Sequence, residues 1–207
     1  ERTKRSISAS IQTHVEELVK LYQNKESVYR EPFVCVAELE GDFIKSFQHV
    51  DTIDQRKVWL EIKKDLEKDS PMYRLLCGDV GFGKTEIAMR AIFRVVLNNK
   101  QAIVLVPTSV LALQHQRVFN ARMGVFGVKT EVLNSSLSKK DKIKIKELWL
   151  GGKIDVLITT TAVVYDIDFI KVSSFFVVDE EHRFGVKDKE VVLNNFTNKD
   201  VLFMSAT

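Results

Sequence analysis

An α/β fold built on a parallel β-sheet is the architecture that this sequence predicts. Short, almost continuously apolar segments alternate with longer ones in which apolar residues recur every three or four positions. Such apolar segments are typical of strands buried on both faces of a parallel sheet, with helices covering both faces. A glycine-rich loop also stands between one such strand and one such helix. We therefore predict a parallel sheet with helices on both faces, preceded by an N-terminal helical extension.

Composition indicates a globular protein without a structural metal site. The 207 residues are 45% hydrophobic, which suits one domain with an appendage. The net charge of +3 excludes a strong basic field over the whole chain, so any nucleic-acid site must be local. The 2 cysteines and 4 histidines are scattered without ligand spacing, which favours a reducing cytoplasm and no structural metal. No apolar run is long enough to span a membrane, so we expect no membrane partner.

The first part of the chain is predicted to be an extension of the main domain. Residues 8–24 have the periodicity of an amphipathic helix, and residues 31–48 lack a clear period and are interpreted as an irregular connector. We place the domain boundary between 1–46 and 47–207. The apolar positions of the predicted helix are Ile11, Val15, Leu18, Val19 and Tyr22.

The main domain then alternates between helices and strands. A helix capped by Thr52 or Asp54 is expected to carry Val58, Leu60, Ile62 and Leu66. A helix after the glycine-rich loop ends at Asn98-Asn99, another begins at Ser109, and a lysine-rich one covers 139–150. The predicted strands are 72–77, 102–106, 130–133, 155–158, 175–178 and 201–204.

The glycine-rich loop has the spacing of a phosphate-binding loop, Gly-x-x-x-x-Gly-Lys-Thr. Its backbone N–H groups would surround the phosphates of ATP, Lys84 would neutralise their charge as a catalytic residue, and Thr85 would bind Mg²⁺. The strand and helix on either side aim a positive helix N-terminus at the phosphates. The predicted ATP-binding residues here are Gly78, Asp79, Val80, Gly81, Phe82, Gly83, Lys84, Thr85 and Glu86.

Acidic residues follow the strand at 175–178. Ligands of open α/β sheets bind at the carboxyl ends of the strands, where these acids lie. A phosphate-binding loop in the same sheet needs an acid for the magnesium ion. We therefore expect Asp179 to bind Mg²⁺ and Glu180 to orient or deprotonate the attacking water.

Several motifs together resemble the superfamily 2 helicases. Asp179-Glu180-Glu181-His182, followed by Arg183-Phe184-Gly185-Val186 and by Ser205-Ala206-Thr207, is similar to their motifs II and III. The run PMYRLLCGDVGFGKTEIAMR resembles one subgroup, the transcription-repair coupling factors, and the resemblance extends over 47–207. It implies a RecA-like lobe, the first of two in a double-stranded DNA translocase that displaces stalled RNA polymerase. It also implies that His182, Ser205 and Thr207 couple ATP hydrolysis to movement.

The resemblance also implies residues for the base and for DNA. Thr52, Asp54 and Gln55 match the adenine-recognising segment, with Phe47 stacking nearby, although Ile53 replaces the usual proline. Thr108 matches the motif Ia threonine that contacts the DNA backbone, and Thr160 is the second expected DNA contact.

Two basic DNA contacts of the family are absent from this chain. Thr159-Thr160-Thr161 replaces Gly-Thr-His, and Asn134-Ser135-Ser136-Leu137 replaces Ser-Arg-Phe-Arg. Lysines lie nearby, but a lysine-rich helix is more often a solvated face, so we leave them out of the expected site. They are Lys139, Lys140, Lys142, Lys144 and Lys146.

Other functions stay open at this point. The lobe could belong to a fork-regression helicase, which would share the chemistry and differ in partner. It could also be a module that binds nucleotide without turnover, since the resemblance implies that a second lobe in cis supplies an arginine finger. Expected partners of the full-length protein are double-stranded DNA, RNA polymerase and repair proteins.

Overall fold

The computed structural model describes residues 28–180, 183–184, 186–196 and 198–206. The predicted helix at 8–24 lies outside these residues. The strands are β1 (Tyr73–Cys77), β2 (Gln101–Leu105), β3 (Thr130–Leu133), β4 (Val156–Thr159), β5 (Ser173–Asp179) and β6 (Asp200–Ser205). The helices are α1 (Ala37–Lys45), α2 (Ile53–Leu66), α3 (Lys84–Leu97), α4 (Ser109–Met123), α5 (Lys139–Leu150), α6 (Ile167–Val172) and α7 (Val186–Asn195).

The six strands form one sheet in the order β1-β6-β5-β2-β4-β3, and every pairing between them is parallel. Each predicted strand is confirmed to within two residues at either end, and the predicted lysine-rich helix has the observed bounds of α5. The sequence did not predict α6, α7 or the short 3₁₀ turns at Gly124–Phe126 and Thr161–Tyr165. Within the described ranges, no helix is both long and apolar enough to span a bilayer.

Helices cover both faces of the sheet, as predicted. Helices α1 to α4 share one apolar core with one face of the strands, including Ile62, Ile92 and Phe119. Helices α5 to α7 share a second core with the opposite face, including Trp149, Phe169 and Phe196. All six of these side chains are less than 5% exposed, so the sheet is buried on both faces.

The predicted irregular connector at 31–48 is wrong, because α1 lies within it. Phe43 of α1 stacks on Phe93 of α3, with ring centroids 4.3 Å apart. The neighbouring Phe33 is also buried in this core, at 2% exposure. Helix α1 has only 9 residues and contains Gly41, which lowers its intrinsic helix propensity. Packing against α3 stabilises it instead.

The strand order decides which loops become neighbours. In parallel strands all carboxyl ends lie at one edge, and here the edge starts with the loop after Cys77 of β1. Next come Ser205 of β6 and Asp179 of β5, which place the acids two strands from the loop. Strand β2, followed by α4, is the next neighbour of β5. Strands β4 and β3 complete the edge.

Candidate nucleotide site at the carboxyl edge of the sheet

The phosphate-binding loop has a backbone that requires glycine. Gly81 and Gly83 have φ angles of 86° and 82°, in the left-handed region that L-residues with side chains rarely adopt. At Gly83 a Cβ atom would also lie 2.5 Å from Nε2 of Gln55. Gly83 is the N-cap of α3, so the loop presents the positive end of this helix to its concave side. This is the backbone arrangement that binds phosphate.

The predicted phosphate ligand Lys84 folds over the loop. Its ammonium group donates hydrogen bonds to the carbonyl oxygens of Gly78 and Asp79, the latter at 3.0 Å. Phosphate oxygens would replace these carbonyls as acceptors. Thr85 is the second residue of α3 and is half-buried, while Asp79 and Val80 are exposed at the tip of the loop. The predicted loop residues therefore form one continuous structure around the start of α3.

Gln55 connects the predicted adenine segment to this loop. Thr52 caps α2 by accepting a hydrogen bond from the Gln55 N–H, while Oε1 of Gln55 accepts one from the Thr52 N–H at 2.8 Å. Nε2 of Gln55 donates to the carbonyl oxygen of Phe82 at 2.5 Å. Both ends of the amide thus have protein partners. Contact with adenine would use its second amide hydrogen and second lone pair.

Glu86 lies beside the loop, but its carboxylate is buried in an ion-pair network. It accepts hydrogen bonds from Arg90 at 3.0 Å and from Arg122 at 2.8 Å, and Arg90 also donates to both oxygens of Asp51. Burial by itself lowers the pKa of Arg90, but hydrogen bonds to Asp51 and Glu86 outweigh it, and the net pKa is raised. The ring centroid of Phe47 lies 5.6 Å from the guanidinium carbon of Arg90 and 5.6 Å from that of Arg122. The side chain of Glu86 therefore links α3 to Arg122 of α4.

The acids at the end of β5 are held beside the loop by β6. The Glu180 N–H donates to the Met204 carbonyl at 3.0 Å, and the Gly78 N–H donates to the Ser205 carbonyl at 3.3 Å. Glu180 has a φ of 54°, an unusual value for a residue with a long side chain. Asp179 is largely shielded, with 13% of its side chain exposed. One short stretch of β6 therefore fixes both the loop and the acids.

These residues fit a magnesium ion carried by a nucleotide. Among the described residues, no group of three or more histidine, cysteine, aspartate or glutamate side chains is placed to hold a metal ion. Magnesium in nucleotide sites commonly takes one or two protein oxygens and completes its shell with phosphates and water. The hydroxyl of Thr85, in the first turn of α3, and the carboxylate of Asp179, at the end of β5, are donors of that class.

Of the predicted coupling residues, Ser205 lies between the loop and the acids at the end of β6. Its hydroxyl donates to the Ala206 carbonyl at 3.2 Å. His182 and Thr207 lie outside the described residues. Asp54, predicted for the adenine segment, is exposed on the first turn of α2.

The predicted DNA contacts lie farther along the same edge. Thr108 is exposed and caps α4, and its oxygen accepts a hydrogen bond from the Leu111 N–H at 3.2 Å. Its own hydroxyl hydrogen can still be donated to a phosphate. Thr160 follows β4 and lines a cleft of about 360 Å³ together with Ser135 and Lys142. The two threonines are thus on neighbouring strand ends, apart from the phosphate-binding loop.

One lysine of the cleft is already paired. Lys146 lies 2.7 Å from Asp166 and 2.8 Å from Asp168. These hydrogen bonds, that to Asp166 first, raise the pKa of Lys146. Lys142 donates to the Ser135 carbonyl at 3.3 Å. Both of these lysines thus have partners within the protein.

The sequence did not predict the partner of Asp179. His115 of α4 lies with its Nε2 atom 3.0 Å from Oδ2 of Asp179. No signal in the sequence joins these residues, because their contact depends on β2 and β5 being neighbours. The arginine network could have been predicted from the sequence, since Glu86, Arg90 and Arg94 are charged residues four apart on a helix that is otherwise mostly apolar.

Comparison with known proteins identifies the class of this lobe. The DEAD/DEAH box helicase family matches residues 52–207. Over its whole length the chain is 39% identical to a transcription-repair-coupling factor of Borreliella burgdorferi and 35% identical to that of Bacillus subtilis. It is 40% identical to a chloroplastic ATP-dependent DNA helicase of Arabidopsis thaliana. The predicted resemblance to the coupling factors is therefore confirmed.

The chain matches only part of each relative, 18% of the two coupling factors and 25% of the Arabidopsis helicase. Among solved structures, RecG bound to a three-way DNA junction has a TM-score of 0.78 and 34% identity over 91% of this chain and 25% of RecG. The UvsW helicase of bacteriophage T4, at 15% identity and a TM-score of 0.61 over 86% of this chain and 61% of UvsW, shares the fold. The predicted RecA-like fold is confirmed.

Proposed function

Because the chain belongs to the DEAD/DEAH box helicase family, we propose that it is the ATP-binding lobe of a motor that translocates on double-stranded DNA. The observation that carries this proposal is the attachment of the phosphate-binding loop and the acids to one strand end. Met204 and Ser205 accept backbone hydrogen bonds from Glu180 and Gly78. A nucleotide on the loop would then have its terminal phosphate near the acids.

In this proposal each residue has one role in ATP hydrolysis. The backbone N–H groups of the loop and Lys84 bind the β- and γ-phosphates. Thr85 and Asp179 supply oxygens to Mg²⁺, which when bound neutralises charge on the phosphates. Glu180 holds the attacking water and accepts its proton. Thr52, Asp54 and Gln55, with Phe47 stacking, select adenine.

In the same proposal, the carboxyl ends of β2 and β4 bind DNA. Thr108 and Thr160 would contact phosphates and not bases, so binding would be weak, dependent on salt and independent of sequence. Ser205 lies beside the acids. With His182 and Thr207, it would couple ATP binding and hydrolysis to movement of a second lobe in cis.

The similarity to coupling factors supports a more specific role. We propose that the full-length protein acts in the cytoplasm in transcription-coupled DNA repair and displaces stalled RNA polymerase, with repair proteins as further partners. The RecG match favours a second candidate, the lobe of a helicase that acts on branched DNA. Binding of the full-length protein to RNA polymerase in a pull-down supports the first candidate, and preference for a three-way junction over linear duplex supports the second.

The nucleotide site can be tested on the chain itself. A fluorescent ATP analogue is titrated with Mg²⁺ present into wild type, Lys84→Ala and a control, Lys100→Ala, whose side chain lies 3.9 Å from Glu31. Loss of Lys84 should weaken binding at least about tenfold, equivalent to about 1.4 kcal/mol, and Lys100→Ala should bind like wild type. Equal binding by Lys84→Ala would contradict the proposed site. ATPase of a protein that carries both lobes, with and without DNA, then separates a motor from a module without turnover.

A further inference from the structure

We propose that His115 is a positioning residue that holds Asp179 in the orientation in which its carboxylate binds the Mg²⁺ of the nucleotide. This inference rests on the proposed function, because it assigns a partner to the proposed magnesium ligand. It adds a residue of α4, a helix that is otherwise expected to contact DNA through Thr108.

The contact has the geometry of a hydrogen bond within the protein. Nε2 of His115 and Oδ2 of Asp179 are 3.0 Å apart. An ionised carboxylate can only accept, so Nε2 carries the hydrogen that is donated. The bond uses one carboxylate oxygen and leaves the other for a metal ion. Partners of this kind fix the orientation of metal-binding carboxylates and often determine metal affinity.

Both side chains are shielded, so the bond does not compete freely with water. The side chain of His115 is 12% exposed and that of Asp179 is 13% exposed. The imidazole packs edge-on against Phe119, with ring centroids 6.1 Å apart and planes at 70°. Phe119 is itself 1% exposed in the core beneath α4. Packing therefore holds the imidazole ring in place, and the hydrogen bond from the ring restrains the carboxylate of Asp179.

Because of the strand order, this contact links the helix that carries Thr108 to the acids at the end of β5. Helix α4 follows β2, which pairs with β5 in the register Leu105 to Val178, so His115 can reach the end of β5. Thr108 caps the same helix. His115 follows about two turns later, on nearly the same side of the helix. Any movement of α4 at its DNA-facing end would therefore reach the proposed magnesium ligand through one side chain.

The test measures magnesium dependence and not turnover. Binding of a fluorescent ATP analogue to the chain is followed as Mg²⁺ is varied, and again in EDTA. His115→Leu, which keeps volume and removes the donor, should raise the Mg²⁺ midpoint about tenfold, as loss of an outer-shell partner commonly does. Binding in EDTA should stay unchanged. The control Asn120→Ala, on the exposed side of α4, should leave both values at those of wild type.

Two further variants separate positioning from packing. The amide of His115→Gln can reach where Nε2 lies, so this variant should restore most of the midpoint, whereas the shorter His115→Asn should behave like His115→Leu. This pair decides the matter even if His115→Leu is found unfolded by circular dichroism. A metal-free readout is the imidazole ¹⁵N spectrum, in which Asp179→Asn should shift the Nε2 resonance.

The outcomes distinguish this inference from the proposed function. A wild-type midpoint in His115→Leu, or the same midpoint in the glutamine and asparagine variants, overturns the role of His115 while leaving the nucleotide site intact. Absence of magnesium-dependent nucleotide binding in wild type overturns the proposed site itself, and the role of His115 with it.

Discussion

Arg94 of α3 and Glu40 of α1 form a buried, two-bond ion pair. Nε of Arg94 donates to Oε1 at 2.9 Å and its terminal nitrogen donates to Oε2 at 2.5 Å, while the side chains are 0% and 7% exposed. Burial by itself lowers the pKa of Arg94, but the hydrogen bonds to Glu40 outweigh it, so the guanidinium stays charged. Helix α1 is therefore fixed to the helix that begins at the phosphate-binding loop.

Loss of Glu40 should destabilise the chain strongly. Glu40→Ala leaves the Arg94 charge in the core with Glu67, 44% exposed, as its remaining carboxylate partner. Breaking a buried pair on one side costs about 3–5 kcal/mol. The control Glu38→Ala, exposed on the same helix, should change the free energy of unfolding by less than about 0.5 kcal/mol. Urea unfolding measures both values. Similar stability of the two variants would show that the pair does not hold α1 in place.

Two glycines of the phosphate-binding loop should respond differently to alanine. Both have positive φ angles, so each alanine carries backbone strain of about 1–2 kcal/mol. A Cβ at Gly83 also meets Gln55, whereas a Cβ at Gly81 meets nothing within 4 Å. Gly83→Ala should therefore lose binding of a fluorescent ATP analogue, and Gly81→Ala should retain more of it. Equal losses would mean that strain, and not the contact with Gln55, determines the loop.

The sequence predicted the sheet well and the connections less well, for physical reasons. Strands buried on both faces read as continuous apolar runs, so β6 was placed to within one residue at either end. Helix α1 depends on Phe43 and Glu40 meeting partners on α3, and α6 has only 6 residues, too few to show a period. The loop residues could be predicted because their spacing is local. The contact of His115 with Asp179 could not, because it requires the strand order.

Gln55 allows its two contacts to be separated by a single isosteric change. In Gln55→Glu the side chain can still accept from the Thr52 N–H and complete the cap of α2, but it cannot donate to the Phe82 carbonyl. If Gln55 acts by holding the loop, this variant should weaken ATP and GTP binding equally. Gln55→Ala should also destabilise α2, because it removes the glutamine half of the capping box. Weakening of ATP binding alone would instead assign Gln55 to the adenine edge, and wild-type binding of both nucleotides would exclude either role.

Cys77 provides a chemical probe of the same loop. Burial raises the pKa of its thiol, and the nearby charge of Lys84 lowers it by a smaller amount. The thiolate is the reactive form, so alkylation of Cys77 should rise with pH at higher values than for an exposed cysteine peptide. Lys84→Ala removes the opposing charge and should move the rise to still higher pH. Mass spectrometry that resolves Cys77 from Cys35 measures both rates, and a shift to lower pH in Lys84→Ala would contradict this reasoning.

Glu180 combines a strained backbone with the proposed catalytic carboxylate, and two substitutions separate these properties. Its φ of 54° is strained for a residue with a Cβ atom but not for glycine. Glu180→Gly should therefore raise the free energy of unfolding by about 0.5–1 kcal/mol, after the greater loss of backbone entropy by glycine is subtracted. Glu180→Gln keeps the strain, so it should not gain this stability. The ion pair with Arg183 that it removes contributes little, because Nε of Arg183 is 3.6 Å from the carboxylate and its side chain is 57% exposed. Both variants should bind ATP like wild type.

Turnover should then collapse in both variants of a protein that carries the two motor lobes. General-base assistance is worth about 10²–10⁴-fold, so duplex-stimulated ATPase should fall by that factor in Glu180→Gln as well as in Glu180→Gly. Asp179→Ala is the matched contrast, because loss of the proposed magnesium ligand should weaken magnesium-dependent binding before it affects any chemical step. A gain of stability together with loss of turnover in Glu180→Gly would indicate that the strained conformation is retained for its catalytic carboxylate. Substantial ATPase from Glu180→Gln would assign activation of the water to another residue.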